Sequence, residues 1–387
     1  MTDFLENWDY FLPVNIVFGR GRTAEIGEKA RKFGKKALVV TGKNSAKKSG
    51  LLDKITQSLL AAGIESAVFS DVEPNPLTTT AQKGAQKAKE AECDMVVAAS
   101  GGSIIDAAKG IAFAAKNAGS LSDYIFARKS SDNALPVIAV PTTCGTGSEG
   151  NGFAVLTNPA AGDKKSLRCP AIIPKLSIVD SENMQTMPQK VLRSVGFDAL
   201  CHCIEAYTAN NARPLSSALC IYAIRLINDT LPYLCSGGDS EKAWDAMALA
   251  SLIGGMAIGV SGVTLAHGME HPASGLKNIV HGEGLAALTP AVLDFYAQSL
   301  EIDAPAAQEL ADISRILGGK GVFDCAERVQ NLILELGLPQ NLSTLGIAES
   351  DIDWLTENCL KVSAGNLSNT PVFAGEAEIR ELYRRTL

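Results

Sequence analysis

The sequence predicts an α/β domain built on a parallel sheet, followed by an all-helical domain. A chain of 387 residues exceeds what one hydrophobic core usually organises, so two domains are expected. The first half alternates short apolar runs with helical patterns, which is typical of a parallel sheet covered on both faces. The second half shows helical spacing without a convincing strand. The boundary is expected near Pro188, and the domains are assigned to residues 1–184 and 185–387.

Apolar runs in the first half predict five buried strands, and the segments between them have the spacing of helices. The strands are expected at residues 36–41, 66–70, 94–99, 135–140 and 176–180, and the helices at 51–62, 78–91 and 104–115.

The second half is expected to be helical throughout. Helical spacing covers residues 191–208, 214–234, 240–269, 290–298, 305–317, 324–336, 350–363 and 376–385. The uncharged stretch from Ala246 to Ala266 is long enough to span a bilayer. Its glycines and hydroxyl residues, and the lack of a cationic flank, favour a buried helix instead.

Composition excludes several classes of function. A net charge of −7 and 6% aromatic residues argue against a nucleic-acid partner. Nine cysteines without a CxxC pair indicate free thiols in a reducing compartment. The acidic start of the chain does not resemble a signal peptide. We therefore expect a cytoplasmic protein without a membrane partner.

Two loops follow neighbouring predicted strands and have the composition of ligand-binding loops. Ser100-Gly-Gly-Ser-Ile-Ile-Asp106 follows a strand and opens a helix, where unpaired N–H groups could bind a phosphate. The alternative is an ordinary strand–turn–helix joint. Pro141-Thr-Thr-Cys-Gly-Thr-Gly-Ser-Glu149 offers hydroxyl and N–H donors for a pyrophosphate or ribose; the alternative is a polar surface turn. Ligands bind at the carboxyl ends of parallel strands, which favours the ligand-binding interpretation.

The histidines are the strongest chemical signal. The chain has four, and all lie between His202 and His281. Asp198 and His202 are four residues apart and share a helix face, as do His267 and His271, while His281 is expected in a glycine-flanked loop. Imidazole and carboxylate groups are typical ligands of divalent first-row metals. The pattern therefore predicts a metal site in the helical domain.

These motifs resemble those of the iron-containing alcohol dehydrogenases, also called group III alcohol dehydrogenases. The resemblance covers nearly the whole chain. It rests on Phe18-Gly19, Pro74-Asn-Pro76, the glycine motif 101–109, the polar loop 141–149, Gly196-Phe-Asp198-Ala-Leu-Cys-His202, and the segment from His267 to Gly282. It implies a dehydroquinate synthase-like α/β dinucleotide-binding domain, a helical domain, an active site in the cleft between them, and a homodimer.

The resemblance also implies roles for individual residues. The metal ligands are expected at Asp198, His202, His267 and His281, with His271 as a non-ligand active-site histidine. Fe²⁺ is expected as the metal, with Zn²⁺ as the alternative. Expected cofactor-binding residues are Asn75, Ser100, Gly101, Gly102, Ser103, Asp106, Thr142, Thr143, Thr146, Ser148 and Lys165, the last placed in a turn.

This chain departs from the family pattern at three places. Ser100 replaces a glycine, and Gly150-Asn151 replace the usual Val-Thr, which alters the expected substrate pocket. NAD-preferring members often carry an aspartate at the end of the first strand, where this chain has Gly42. Lys43, Asn44 and Ser45 follow and offer donors to a 2′-phosphate. We therefore expect NADP(H) to be favoured over NAD(H), the alternative being that both cofactors bind alike.

The expected reaction is hydride transfer between a small alcohol, or a diol, and a nicotinamide dinucleotide, with His271 relaying the proton to solvent. One alternative is a dehydroquinate synthase-like lyase, which would need a basic cluster for its substrate. No basic residue lies between Gly254 and Ala266. The other is a non-enzymatic protein with a structural metal, in which two glycine-rich loops would have no purpose.

Overall fold

The computed structural model describes residues 8–387. These residues form two compact units. The first spans Leu12–Met187, and the second spans Pro188–Leu387 together with residues 8–11. The first unit contains the sheet and the second is helical, as the sequence predicts.

A six-stranded sheet organises the first unit. All of its paired strands are parallel, in the order β1-β8-β5-β4-β2-β3. The remaining two strands form an antiparallel hairpin, β6-β7. The bounds are β1 Ile16–Phe18, β2 Lys36–Gly42, β3 Glu65–Val72, β4 Met95–Ser100, β5 Val137–Pro141, β6 Phe153–Asn158, β7 Asp163–Arg168 and β8 Leu176–Val179.

Both faces of the sheet are buried because successive side chains of a strand point to opposite sides. Leu38 and Val40 of β2 pack in one apolar cluster, whereas Ala37 and Val39 pack in the other. Strand β2 continues to β3 on one side, and the chain then returns to place β4 on the other. This reversal creates a crevice at the carboxyl ends of β2 and β4, where open α/β sheets bind ligands.

The structure corrects three sequence predictions in this unit. Strand β1 was not predicted. The hairpin β6-β7 was not predicted either, and Lys165 lies in strand β7 rather than in a turn. Strand β6 is apolar over residues 153–156 and packs against helix Gly102–Lys116, whereas β7 is mostly polar.

Sixteen α-helices lie in the described residues. Those of the first unit are α1 Ile26–Ala30, α2 Ser45–Lys48, α3 Leu51–Ala61, α4 Thr78–Glu90, α5 Gly102–Lys116 and α6 Leu121–Ile125. Those of the second unit are α7 Gln189–Thr208, α8 Pro214–Cys235, α9 Glu241–Ser261, α10 Leu265–Lys277, α11 His281–Ser299, α12 Pro305–Ile316, α13 Cys325–Leu336, α14 Ile352–Val362, α15 Ala364–Ser368 and α16 Glu376–Arg385.

Two helix predictions in the second unit were wrong. The expected helix 240–269 breaks at Gly262, whose φ of 77° is left-handed. Asn369 Nδ2 donates to the carbonyls of Ser261 and Val263, at 2.7 and 3.1 Å, and thereby replaces helical hydrogen bonds. Helix α11 begins at His281 rather than near Pro290, so His281 is not in a loop.

Within residues 8–387, α9 is the one helix long and apolar enough to cross a membrane by length and composition. Most of its residues are buried, and it packs against α7 and α8. This agrees with the sequence-based interpretation of the segment as a buried helix.

Candidate metal centre and cofactor loops

Four ligand-type side chains converge in the helical unit. Asp198 and His202 lie one turn apart on α7, His267 lies on α10, and His281 is the first residue of α11. Asp198 Oδ1 is 3.4 Å from His202 Nε2, 3.6 Å from His267 Nε2 and 3.7 Å from His281 Nε2. Three imidazole nitrogens therefore surround one carboxylate oxygen.

Asp198, His267 and His281 fit a divalent metal, because their ligand atoms lie within 4.8 Å of one another. His202 is outside that group and lies 3.4 Å from Asp198 Oδ1. In a tetrahedral site with metal–ligand bonds of about 2.1 Å, the ligand atoms lie about 3.4 Å apart. Asp198 Oδ1 and His267 Nε2 are buried and have no hydrogen-bond partner within the part of the chain that the structure describes. Buried polar atoms are normally paired, so such a set of convergent unpaired acceptors indicates a cation site.

The electrostatics of the site favour a positive charge. Burial alone would raise the pKa of Asp198, but His202 and the other two imidazoles lower it below its usual value. Burial lowers the pKa of His202 to about 4. Burial also opposes protonation of His267, yet Glu205 and Asp198 raise its pKa to about 10. The site therefore either protonates His267 or binds a cation in place of that proton.

His271 lies beside the expected ligand set. Its ring stacks on His281 with the centroids 5.7 Å apart and meets His267 edge-on at 6.1 Å. With Glu270 and His281 it forms a second group whose ligand atoms lie within 4.8 Å of one another. The side chain is half-buried, and its role as a non-ligand histidine stays a prediction.

Sequence reasoning missed two buried glutamates next to the ligands. Glu205 Oε1 contacts His267 Nδ1, and Glu270 Oε2 contacts His281 Nδ1. One signal was available, because Glu205 lies three residues after His202 and seven after Asp198, on the same face of α7. Nothing in the sequence indicates that Glu270 faces His281.

Helix α10 is anchored by the C-terminal part of the chain. Pro272 lies inside this helix and has no N–H for the carbonyl of Gly268. Ser363 Oγ and Cys359 Sγ donate to that carbonyl instead, at 2.8 and 3.3 Å. The hydroxyl of Tyr383 donates to the next carbonyl, Met269 O, at 2.7 Å. Helices α14 and α16 thereby fix the helix that carries His267 and His271.

The two loops expected to bind the cofactor meet at the crevice of the sheet. Thr142 N donates to Ser100 O at 3.2 Å, and the hydroxyls of Ser45 and Ser100 are 3.3 Å apart. A Cβ at Gly102 would lie 2.2 Å from Thr146 Oγ1. A Cβ at Gly101 would lie 3.0 Å from Thr143 Cγ2. These glycines are thus needed for the packing of one loop on the other, as well as for a ligand's approach.

Behind these loops lies a buried polar cluster that we call the Lys109 cluster: Asp106, Lys109, Ser148, Glu149 and Asn151. Lys109 Nζ donates to Ser148 O, Ser148 Oγ and Phe153 O at 2.6, 2.7 and 2.7 Å, and Asn151 Oδ1 is 3.2 Å away. Asp106 accepts from Ser148 Oγ at 2.6 Å and from Val155 N at 3.0 Å. Both Asp106 oxygens are therefore used inside the protein, and Asp106 and Ser148 hold the loop from behind.

Burial dominates the titration of the Lys109 cluster. It lowers the pKa of Lys109 to about 8 and raises that of Glu149 to about 7. Burial also raises the pKa of Asp106, against the opposing effect of Lys109. Asn151, one of the departures from the family pattern, bonds Lys109 and Phe153 N, so it serves this cluster.

The other expected cofactor residues are dispersed around the unit. Asn75 has a φ of 50°, and Glu73 holds its loop by accepting from Leu77 N at 2.7 Å and Thr80 Oγ1 at 3.1 Å. Lys165 Nζ lies 5.4 Å from the centre of the Phe126 ring, and burial lowers its pKa. The structure brings Ser45, Ser100 and Thr142 together at the crevice, while the cofactor roles of Asn75 and Lys165 stay predictions.

The end of β2 has space for a larger residue. A Cβ at Gly42 would lie 3.5 Å from its nearest neighbour, Ile104 Cδ1, which is ordinary contact. Lys43, Asn44 and Ser45 are exposed. No acidic side chain follows β2 until Asp53.

Comparison with known proteins identifies the family. The model described as iron-containing alcohol dehydrogenase matches residues 13–181, and that for the C-terminal part of the Fe-containing alcohol dehydrogenase family matches residues 194–387. The 1,3-propanediol dehydrogenase of Citrobacter freundii is 36% identical over 388 residues, covering 98% of each chain. The NAD-dependent methanol dehydrogenase of Bacillus methanolicus is 33% identical, covering 91% of this chain and 93% of that one.

Solved structures agree with this result. An archaeal halo-thermophilic alcohol dehydrogenase from a Red Sea brine pool is similar with a TM-score of 0.94 and 33% identity, covering 98% of this chain and 99% of that one. The chain belongs to the iron-containing alcohol dehydrogenase family and is an oxidoreductase. The two alternatives from the sequence, a dehydroquinate synthase-like lyase and a non-enzymatic protein with a structural metal, do not account for the match to this family. Membership implies a metal and a nicotinamide dinucleotide.

Proposed function

We propose that this protein is a metal-dependent alcohol dehydrogenase and aldehyde reductase that favours NADP(H). It would transfer hydride between a small alcohol, or a diol, and the nicotinamide. The observation that carries the proposal is the convergence of three imidazole nitrogens on Asp198 Oδ1 at 3.4–3.7 Å, with buried ligand atoms that have no hydrogen-bond partner among the described residues.

Asp198, His202, His267 and His281 are the residues that would hold the metal, Fe²⁺ or alternatively Zn²⁺. A bound divalent ion supplies Lewis acidity, which favours loss of the proton from an alcohol hydroxyl. The four side chains come from three helices, so the packing of α7, α10 and α11 sets their spacing. Burial of Asp198, His202 and His267 limits access of water to their nitrogen and oxygen atoms, whereas the His281 side chain is 25% exposed.

His271 would carry the proton. Its half-buried imidazole lies against His281 and reaches solvent, so a ring nitrogen can accept a proton on the site's side and release one on the other. In aldehyde reduction the same ring donates the proton.

The first unit would bind the dinucleotide at the carboxyl ends of β2, β4 and β5. Helix α5 begins at Gly102, and its first N–H groups suit a pyrophosphate. The hydroxyls of Ser100 and Thr142 at the crevice suit phosphate or ribose oxygens. Asn75 and Lys165 would contact the nicotinamide end. The dinucleotide itself carries the hydride.

The preference for NADP(H) rests on the end of β2. An acidic side chain there would accept hydrogen bonds from the ribose 2′-OH of NAD and repel a 2′-phosphate. Gly42 lacks that carboxylate, and the exposed Lys43, Asn44 and Ser45 offer a cation and several donors. Family membership leaves this choice open, since the methanol dehydrogenase relative is NAD-dependent.

A small aliphatic substrate is favoured by the apolar end of α9 and the residues after it. Ile258 and Val263 are buried and Val260 is half-buried there. The propanediol and methanol dehydrogenase relatives act on small alcohols by name. We also propose that the protein forms a homodimer and that it is located in the cytoplasm.

The test is a steady-state assay of protein loaded with Fe²⁺ or Zn²⁺. A panel of primary alcohols, diols and aldehydes is measured with NAD(H) and with NADP(H). We expect turnover that requires the metal, with a higher kcat/KM for NADP(H). Absence of turnover with every alcohol and aldehyde, in protein shown to contain metal, would contradict the proposal.

A further inference from the structure

We propose that Glu205 and Glu270 are positioning residues for the metal site. Each carboxylate would hold the Nδ1 side of one imidazole, so that the Nε2 of that ring faces Asp198. The inference rests on the proposed metal site and adds two residues outside the ligand set.

Glu205 connects α7 to the beginning of α10. It is 3% exposed. Its Oε1 contacts His267 Nδ1. Its Oε2 accepts from Thr264 N at 2.6 Å and from Thr264 Oγ1 at 2.9 Å. The backbone N–H of His267 also donates to Oε2, at 3.4 Å. One carboxylate thus fixes both the His267 ring and the first turn of its helix.

Glu270 connects α10 to the beginning of α11. It is 0% exposed, and its Oε2 contacts His281 Nδ1. Ser274 Oγ contacts the other oxygen, Oε1. A Cβ at Gly284 would lie 3.0 Å from Glu270 Cγ, so glycine at that position of α11 leaves room for the glutamate.

The two contacts follow one rule. In each case the carboxylate lies on the previous helix that carries an expected ligand: Glu205 on α7 for His267 of α10, and Glu270 on α10 for His281 of α11. A neutral imidazole protonated at Nδ1 has its free lone pair on Nε2, which is the form that binds a metal. Glu205 forms a hydrogen bond with His267 Nδ1 and thereby selects the ring orientation and the tautomer of that histidine. Glu270 lies against His281 Nδ1 as a close charged contact without hydrogen-bond alignment, and its negative charge favours the same orientation of the ring.

His202 differs from both, because no carboxylate contacts its Nδ1 among residues 8–387, where that atom is buried without a hydrogen-bond partner. Its ring orientation comes from packing, because it stacks on His267 with the centroids 4.8 Å apart. The orientation of His202 thus depends on His267, which increases the expected effect of Glu205.

The experiment measures metal affinity rather than turnover alone. Metal-stripped parent protein and variants are titrated with Zn²⁺ and with Co²⁺ against a competing chelator, and the visible spectrum of bound Co²⁺ reports the coordination geometry. The variants are Glu205→Gln, Glu205→Ala, Glu270→Gln and Glu270→Ala. The matched control is Glu283→Gln, because Glu283 is also buried on α11 but pairs with Lys190 at 3.3 Å rather than with a histidine.

We expect the Ala variants to bind about 100-fold more weakly and the Gln variants about 10-fold more weakly, because loss of such outer contacts typically costs 10–100-fold in metal affinity. The Co²⁺ spectrum should change in all four variants, while Glu283→Gln should match the parent. If an Ala variant fails to fold, the metal affinity and the Co²⁺ spectrum of the Gln variants test the inference.

Gln variants with the parent's affinity and spectrum would overturn the inference. A parent that binds no metal would instead overturn the proposed function, and this inference with it, before any variant is compared.

Discussion

Each unit of the molecule buries one cluster of charged groups, and the two clusters differ in how their polar atoms are paired. In the Lys109 cluster the ammonium has acceptors for all its protons, and both Asp106 oxygens accept hydrogen bonds. The second cluster, which we call the metal cluster, consists of Asp198, His202, His267 and His281. In it, Asp198 Oδ1 faces three ring nitrogens at 3.4–3.7 Å and has no hydrogen-bond partner within residues 8–387. Burial of charge is common to both, and the Lys109 cluster also has one buried acceptor, Glu149 Oε1, without a hydrogen-bond partner among the described residues. The convergence of several ligand atoms around one oxygen is what distinguishes the candidate metal site.

The largest effect should follow from breaking the paired cluster. Lys109→Met removes the ammonium, leaves the carbonyls of Ser148 and Phe153 without their donor, and takes a nearby positive charge away from the buried Asp106. We expect a loss of about 3–5 kcal/mol in the free energy of unfolding, because the substitution leaves a buried carboxylate without its compensating charge. Urea unfolding of the variant and the parent measures this difference in the free energy of unfolding.

Lys116→Met is the matched control, because Lys116 lies two turns further along α5 and is exposed. It should change the free energy of unfolding by less than about 0.5 kcal/mol. Equal destabilisation by the two substitutions would mean that the hydrogen bonds of Lys109 do not stabilise the fold.

The metal cluster should respond in function rather than in stability. His267→Ala removes a ligand, and we expect loss of bound metal with a fall in turnover on the order of 1,000-fold, because several kcal/mol of Lewis-acid stabilisation disappear. His271→Ala should keep the metal and lower the rate by about 100-fold through loss of proton transfer. Metal analysis and kcat of both variants distinguish a metal ligand from a proton-transfer residue. If His267→Ala retained its metal, His267 would not be a ligand.

Glu149 adds a pH dependence to the Lys109 cluster. Burial raises its pKa from 4.5 to about 7, so the folded chain binds a proton that the unfolded chain releases within this window. The free energy of unfolding should therefore fall as pH rises through the window, by on the order of 2–3 kcal/mol, and level off above it.

Glu149→Gln should remove this slope, because the amide does not titrate. Urea unfolding at about pH 5 and about pH 8 checks it. Glu90→Gln, at an exposed residue at the end of α4, should leave the slope unchanged. An unchanged slope in Glu149→Gln would assign the titration to another group.

The smallest effect concerns the cofactor. Gly42→Asp introduces a carboxylate at the end of β2, where space exists. We expect the ratio of kcat/KM for NADP(H) to that for NAD(H) to fall about 10-fold, through repulsion of the 2′-phosphate. Ser49→Asp adds the same charge at an exposed position nearby and should leave the ratio close to the parent's. A parent that prefers NAD(H) would show that Gly42 does not set the choice.

Much of the fold follows from patterns that local sequence carries. Strands β2, β4 and β5 each contain a continuous apolar run of four or five residues, because both faces of the sheet are covered. The boundary between the two units could be predicted because strand–helix alternation gives way to helical spacing near Pro188. The candidate metal site could be predicted because histidine is rare in this chain and clusters with Asp198.

What the sequence did not show depends on contacts between distant residues. Strand β1 has three residues and gains its partner only through pairing with β8. The break at Gly262 is stabilised by Asn369, more than a hundred residues later. The contact between Glu270 and His281 likewise arises only when α10 and α11 pack together. Contacts between distant residues leave no periodic pattern in the local sequence from which they could be predicted.

The anchoring of α10 by the end of the chain sets an order of events during biosynthesis. The carbonyl of Gly268, freed by Pro272, finds its donors on Ser363 and Cys359, and Met269 O finds its donor on Tyr383. These donors are synthesised after all four histidines. A nascent chain that already contains every histidine therefore still lacks the partners that fix the helix carrying two of them. A premature stop before Cys359 would retain the four histidines but remove the donors that hold α10 in place.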